Sequence, residues 1–255
     1  AIEKYRDSLY AKWSDENEKE FEVSKEYALK VVDRIAKWMG KDNYKETRTM
    51  PKYSVHADQP ARWQPTPPAY MDAVEPHWGK IRTLVMDSSA QFKAKAPFPF
   101  STDKSSDFYR EAKETYDVGN KISKDLLAME KTKSTKIPEE SAIATFWDCN
   151  PYATVTQGHM MFAKKKNTPD AHWINIAKIA CKTAKTDFNK TVFAYTKTSI
   201  GVFESFISCW DQKFKTNVVR PETYINQYID ENWKPQLQTP PFPEYTSGHS
   251  VLSAC

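Results

Sequence analysis

VFAYTKTSIGVFESFISCWDQKFKTNVVRP occupies residues 192–221, and the spacing within it decides the fold. Tyr195, Ser199, Phe203, Phe206 and Trp210 recur every three or four residues, while Lys197, Glu204, Ser208 and Asp211 fall elsewhere on the wheel. Such a pattern makes an amphipathic helix with one face in a core. Lys213 is the next residue of the buried stripe. An ammonium there either snorkels to water or finds an anion, because burying it unpaired costs several kcal/mol. Arg220 follows seven residues on, and Pro221 disfavours helical geometry at the residue before it. The guanidinium is therefore expected to swing back toward Lys213 from a turn. No run of acidic residues lies nearby in sequence, so the expected counter-ion is a ligand. A planar fork beside a point charge suits phosphate-like oxygens. Taken alone, the pair also describes a snorkelling lysine and a surface arginine.

A second cluster, Thr246-Ser247-Gly248-His249, precedes Ser250-Val251-Leu252-Ser253-Ala254 and reads as a helix start. With only six glycines in 255 residues, Gly248 is expected to mark a backbone constraint. A helix N-terminus offers free amides and a positive dipole end to an anion; Thr246 or Ser247 can cap it, and His249 can donate to or accept from a bound oxygen. By itself this is also an ordinary capped helix with a surface histidine.

In order, the two clusters form Lys-x6-Arg-Pro and then Ser-Gly-His, which resembles the superfamily of vanadium-dependent haloperoxidases and type-2 phosphatidic acid phosphatases. The family pattern continues with Ser-Arg-x5-His. Lys213, Arg220, Ser247, Gly248 and His249 match the first two blocks, with Thr246 where the family has proline. The resemblance implies an all-α helical bundle in which Lys213, Arg220, Ser247 and the Gly248 amide hold the equatorial oxygens of vanadate or phosphate. His249 is implied at the apical oxygen, with Lys213 and His249 as the catalytic residues. No Ser-Arg pair occurs in the sequence, and His56, His77, His159 and His172 all precede the first block. The reading is therefore of a fragment whose bundle is incomplete at the C-terminus. It contains no vanadium-ligating residue, that histidine being expected beyond Cys255, and is expected to be inactive alone.

Within the superfamily, Trp210 and Phe242 match positions where haloperoxidases place aromatics, Phe242 as in chloroperoxidase-like and bacterial iodoperoxidase-like members. An indole three residues before Lys213 shares its helix face and can wall the pocket, with one N–H to offer a halide or oxygen. Core packing describes both rings equally well. Upstream, Phe146-Trp147-Asp148-Cys149-Asn150-Pro151-Tyr152, leading to Gly158-His159-Met160, is similar to bacterial haloperoxidase-type members. Asn-Pro breaks the preceding helix, so Tyr152 falls on a turn from which its hydroxyl could enter a pocket; a packed structural ring is the alternative.

The implied activity is a vanadate-dependent haloperoxidase using hydrogen peroxide to oxidise halide, iodide or bromide favoured, to hypohalous acid. The alternatives are an acid phosphatase hydrolysing phosphomonoesters with no vanadate cofactor, and a catalytically silent helical binding module. A net charge of +4 is too small and too dispersed to indicate nucleic acid or an anionic membrane. No apolar run approaches a membrane span. Four cysteines lack zinc or redox spacing, and Ala1 in place of methionine suggests a processed, exported bacterial protein.

Helices are expected at residues 17–39, 70–86, 105–127, 138–147, 171–188, 192–213 and 221–228, with proline-rich loops at 49–68, 94–101 and 235–243. The expected division is an N-terminal helical region, 1–135, with those first two loops, and the first part of a catalytic bundle, 136–255.

Overall fold

The computed structural model describes residues 2–148, 154–157, 160–163 and 168–255. They fall into two compact units, Ala1–Lys45 and Glu46–Cys255. The first is a helical hairpin of α1 (Ile2–Glu16) and α2 (Glu18–Met39). Asn17 caps α2 by accepting from the Glu20 amide at 3.2 Å, and its amide nitrogen donates to the Glu20 carboxylate at 3.1 Å. The Asn17 side chain thus both accepts from and donates to Glu20, while its own backbone amide is taken by Trp13 O. Helix α1 was not expected from the sequence; its apolar residues gather on one face far less than those of α2, so it carries little helical period to read.

The second unit follows the short α3 (Tyr44–Thr47), which straddles the boundary. It holds α4 (Asp107–Lys131), α5 (Glu139–Trp147), α6 (Pro169–Thr183), α7 (Phe188–Thr216), α8 (Pro221–Tyr228) and α9 (Gly248–Ala254). One antiparallel ribbon, β1 (Thr154–Gln157) and β2 (Met160–Ala163), pairs Thr154 with Ala163 and Gln157 with Met160. The fold is all-α, with that ribbon as an addition. No described helix is long and apolar enough to cross a membrane.

The expected helix at 70–86 is absent, replaced by a single 3-10 turn at Trp78–Lys80. Pro76 removes a helical amide donor and disfavours helical geometry at Glu75, which adopts a left-handed φ of 55° instead. Gly79 then packs so closely on α7 that a Cβ there would lie 2.7 Å from Asp211 Cβ. Past the turn, the backbone is claimed by a side chain. The buried Glu204 carboxylate, from the middle of α7, accepts from the amides of Leu84 at 2.6 Å, Val85 at 3.2 Å and Met86 at 2.7 Å.

The units divide at 45/46, a different place from the 135/136 division expected above. Residues 46–135 are bound into the same body as the C-terminal helices. The Trp63 amide donates to Asn217 O at 3.0 Å, and the Val219 amide to Ala61 O at 3.0 Å. Helix α4 lies on α8, where Phe100 and Phe108 pack their rings edgewise on buried Tyr224. The Tyr224 hydroxyl donates to Ser101 O at 2.7 Å, so the second proline-rich loop is fixed as well.

Candidate oxyanion site

Helix α7 delivers Trp210 and Lys213 to its buried C-terminal end, longer at both ends than the sequence pattern predicts. Asp187 caps its start by accepting from the Lys190 amide. Asn217 ends it in a left-handed turn, φ 52°, with its amide on Lys213 O at 2.8 Å. The Asn217 carboxamide donates to the Tyr53 hydroxyl. After this corner Arg220 is extended and Pro221 opens α8, as the X-Pro restriction requires. The reversal brings Arg220 back beside Lys213.

Both cations are buried, Lys213 at 1% and Arg220 at 8% exposure. The loop at 240–245 satisfies them. Lys213 Nζ donates to Pro243 O at 2.8 Å and Glu244 O at 2.9 Å. Arg220 Nε donates to Phe242 O at 2.7 Å, Nη2 to Pro240 O at 3.3 Å, and Nη1 to the Glu244 carboxylate. The expectation that no acidic group attends this pair is thereby corrected. Glu244 supplies the charge from a segment remote in sequence, where a search for nearby acidic runs does not look.

Burial pushes the Lys213 ammonium down to about 8, the Arg220 charge adds to the effect, and Cys209 and Glu244 oppose it. Burial works to raise the Glu244 carboxyl, yet the Arg220 and Lys213 charges hold it below the usual range. Lys213 links protonation to folding. Between pH of about 8 and 10.5 the unfolded chain binds a proton here that the native chain does not, and stability rises with pH wherever that holds. Compared with Lys213→Met, the wild type is expected to gain up to about 3 kcal/mol across that window. Urea unfolding of both chains at about pH 7.5 and about pH 10 checks this, and an unchanged difference refutes it.

The Phe242 ring lies between the two cations, 5.0 Å from Lys213 Nζ and 4.8 Å from Arg220 Cζ. These are cation–π distances. Trp210 stacks on Phe206 at 4.0 Å and meets Phe242 at 4.9 Å, so it does wall the site. Its N–H, however, donates to Val74 O at 3.2 Å, which corrects the expectation of a donor offered to halide or oxygen.

Ser247 is the N-cap of α9, its hydroxyl oxygen accepting from the Ser250 amide at 3.2 Å. Thr246 is buried behind it, with Cys209 Sγ 3.4 Å from its hydroxyl. A Cβ on Gly248 would touch Trp210 at 3.9 Å, an ordinary contact, so packing does not demand glycine here. His249 keeps Nε2 buried with no protein partner, while its other ring nitrogen is hydrogen-bonded to the Trp147 backbone. Burial lowers its pKa, the Trp147 bond opposes this, and His172 and Lys213 add repulsion. A neutral ring donating to the Trp147 carbonyl leaves Nε2 as a proton acceptor.

A cavity of about 700 Å³ is lined by Trp210, Lys213, Arg220, Phe242, Ser247, Gly248 and His249 together. The sequence candidates thus converge, except Tyr152, which lies outside the described residues along with Gly158 and His159. The sequence reading missed Glu244, Trp147 and Asp148 as lining residues, and also Glu222, which is 7% exposed with Oε2 unpartnered. Burial raises the Glu222 carboxyl against a Thr239 hydrogen bond and the Arg220 charge. Adjacency to the motifs was the available signal: Glu222 follows Arg220-Pro221, and Glu244 falls between Phe242 and Ser247. Trp147 sits 6.0 Å from the His249 ring and 5.4 Å from His172, so the segment at 146–148 does reach the site.

No protein-family model and no curated protein matches the chain. A solved structure described as the first bacterial vanadium-dependent iodoperoxidase is similar to it, with 56% identity and a TM-score of 0.86. The similarity covers 99% of this chain and 56% of that one, so the chain spans little more than half the length of that protein. With the Lys-x6-Arg-Pro and Ser-Gly-His blocks gathered at one cavity, and that identity along nearly its whole length, the chain belongs to the vanadium-dependent haloperoxidase superfamily.

Proposed function

We propose that these residues form the larger part of an oxyanion cage in a vanadate-dependent haloperoxidase that oxidises halide, iodide or bromide favoured, with hydrogen peroxide. The observation that carries the reading is a buried lysine–arginine pair sharing one cavity with a histidine whose Nε2 has no protein partner. Vanadate fits this donor set. An ammonium has three N–H donors and a guanidinium five, so donors remain on both after the loop carbonyls and Glu244 are counted.

Lys213 and Arg220 would hold vanadate oxygens and neutralise their charge, with the Ser247 hydroxyl and Gly248 amide as further donors. Bound vanadate supplies a Lewis acid that activates peroxide toward halide. The Trp147 carbonyl fixes the His249 tautomer, and Nε2, left without a protein partner, would accept or return a proton at the bound oxyanion. Trp210 and Phe242 keep the neighbouring wall apolar and restrict water, which strengthens the cationic field.

The Ser-Arg-x5-His block is not among the 255 residues, and these residues alone are proposed to bind oxyanion without turnover. The test is peroxide-dependent iodide oxidation by the intact protein loaded with vanadate, beside hydrolysis of a simple phosphomonoester. Iodide oxidation supports the reading. Hydrolysis inhibited by vanadate, with iodide untouched, replaces it by a phosphatase; neither activity replaces it by a silent binding module.

A further inference from the structure

We propose that the Glu244 carboxylate is a built-in competitor for the oxyanion, a specificity-determining group that sets how tightly the cavity holds anions of different charge. The inference rests on the proposed oxyanion cage and adds to it a residue on the anion side of the balance.

Lys213 spends two donors on neutral carbonyls, and Arg220 does the same through Nε and Nη2. Among the described residues, the one ion pair either cation makes is Arg220 with Glu244. The two cations are almost wholly buried, but the Glu244 side chain is 41% exposed and lines the same cavity. Its backbone is fastened independently, the amide on Val218 O at 3.0 Å and the carbonyl on Lys213. The carboxylate can therefore leave Arg220 without freeing the loop. Arg220 would still be positioned by Phe242 O and Pro240 O, which orient the fork and carry no net charge.

Lys213, Arg220 and Glu244 together carry one net positive charge when ionised; without the carboxylate the site carries two. An incoming anion meets like-charge repulsion from Glu244 and must share or take its donors on Arg220. The penalty grows with the charge of the anion, so the carboxylate discriminates most strongly against dianions. A group serving only to position Arg220 would have the opposite effect, since removing it would loosen the guanidinium and weaken every anion.

Calorimetric titration of inorganic phosphate and of perchlorate into the wild type and Glu244→Gln, at low ionic strength, separates these cases. Phosphate is expected to bind Glu244→Gln roughly ten-fold or more tightly than wild type, with a smaller gain for perchlorate. Glu244→Ala, which keeps the same backbone bonds, should follow the same order, and circular dichroism establishes that each variant is folded. Equal or weaker phosphate binding by the folded variants, with the wild type binding, overturns the inference and leaves the oxyanion cage standing. Absence of phosphate binding in all three chains overturns both.

Discussion

Arg220→Met is expected to weaken inorganic vanadate or phosphate binding by about a hundred-fold or more, because charge-assisted bonds from a buried fork are worth about 3 kcal/mol and each 1.4 kcal/mol is ten-fold. Two losses combine. The guanidinium N–H groups left over after Phe242 O, Pro240 O and Glu244 are served disappear. The Glu244 carboxylate, released from its ion pair, remains close enough to Lys213 to offset the surviving cation. Arg220→Lys keeps the charge without the planar fork and should fall between the two. Arg220→Met with Glu244→Gln should recover part of the lost affinity, since the stranded carboxylate is removed with its partner. Titration calorimetry on the four folded chains reads all of this, and undiminished affinity in Arg220→Met would remove Arg220 from the cage.

Glu204→Leu is expected to lower folding stability by about 3 kcal/mol, from the loss of charge-assisted bonds to three successive amides. Leu84 and Met86 are only partly buried and Val85 is exposed, so water recovers some of the deficit and the loss stays below three full bonds. The effect should be local as well as global. Hydrogen exchange at those three amides should quicken well beyond the change seen in α4, and urea unfolding gives the global loss. An unchanged unfolding midpoint would show that the segment at 83–86 holds to α7 without the carboxylate.

What was legible in the sequence had its cause close by along the chain. Helix α8 begins and ends where Pro221 and the pattern through Tyr228 place it, because proline at the first helical position fixes the start. Lys213 and Arg220 converge because a short interval and one X-Pro step leave the guanidinium few directions. Glu244, Val74 O and Trp147 O reach the site from other segments, and no local rule announces a partner brought by tertiary packing. At 70–86 the apolar spacing imitates a helix, while Glu75-Pro76 and the grip of Glu204 on the following amides decide otherwise. The roles of the converging residues are a separate matter from their convergence, and rest on the proposals above.

Asn217 gives the Lys-x6-Arg interval a mechanical meaning. The corner it makes stands between the two cations, closing α7 with its amide and clasping Trp63 and Tyr53 with its carbonyl and carboxamide. Inserting or deleting one residue on the helical side would turn Lys213 by about 100° around the helix axis and shift it by about 1.5 Å. The six intervening positions thus act as a ruler whose length is set by the helix and by the left-handed corner that Asn217, itself one of the six, supplies. The loop at 53–63, which contributes no residue to the cavity lining, is the clamp that holds that ruler straight.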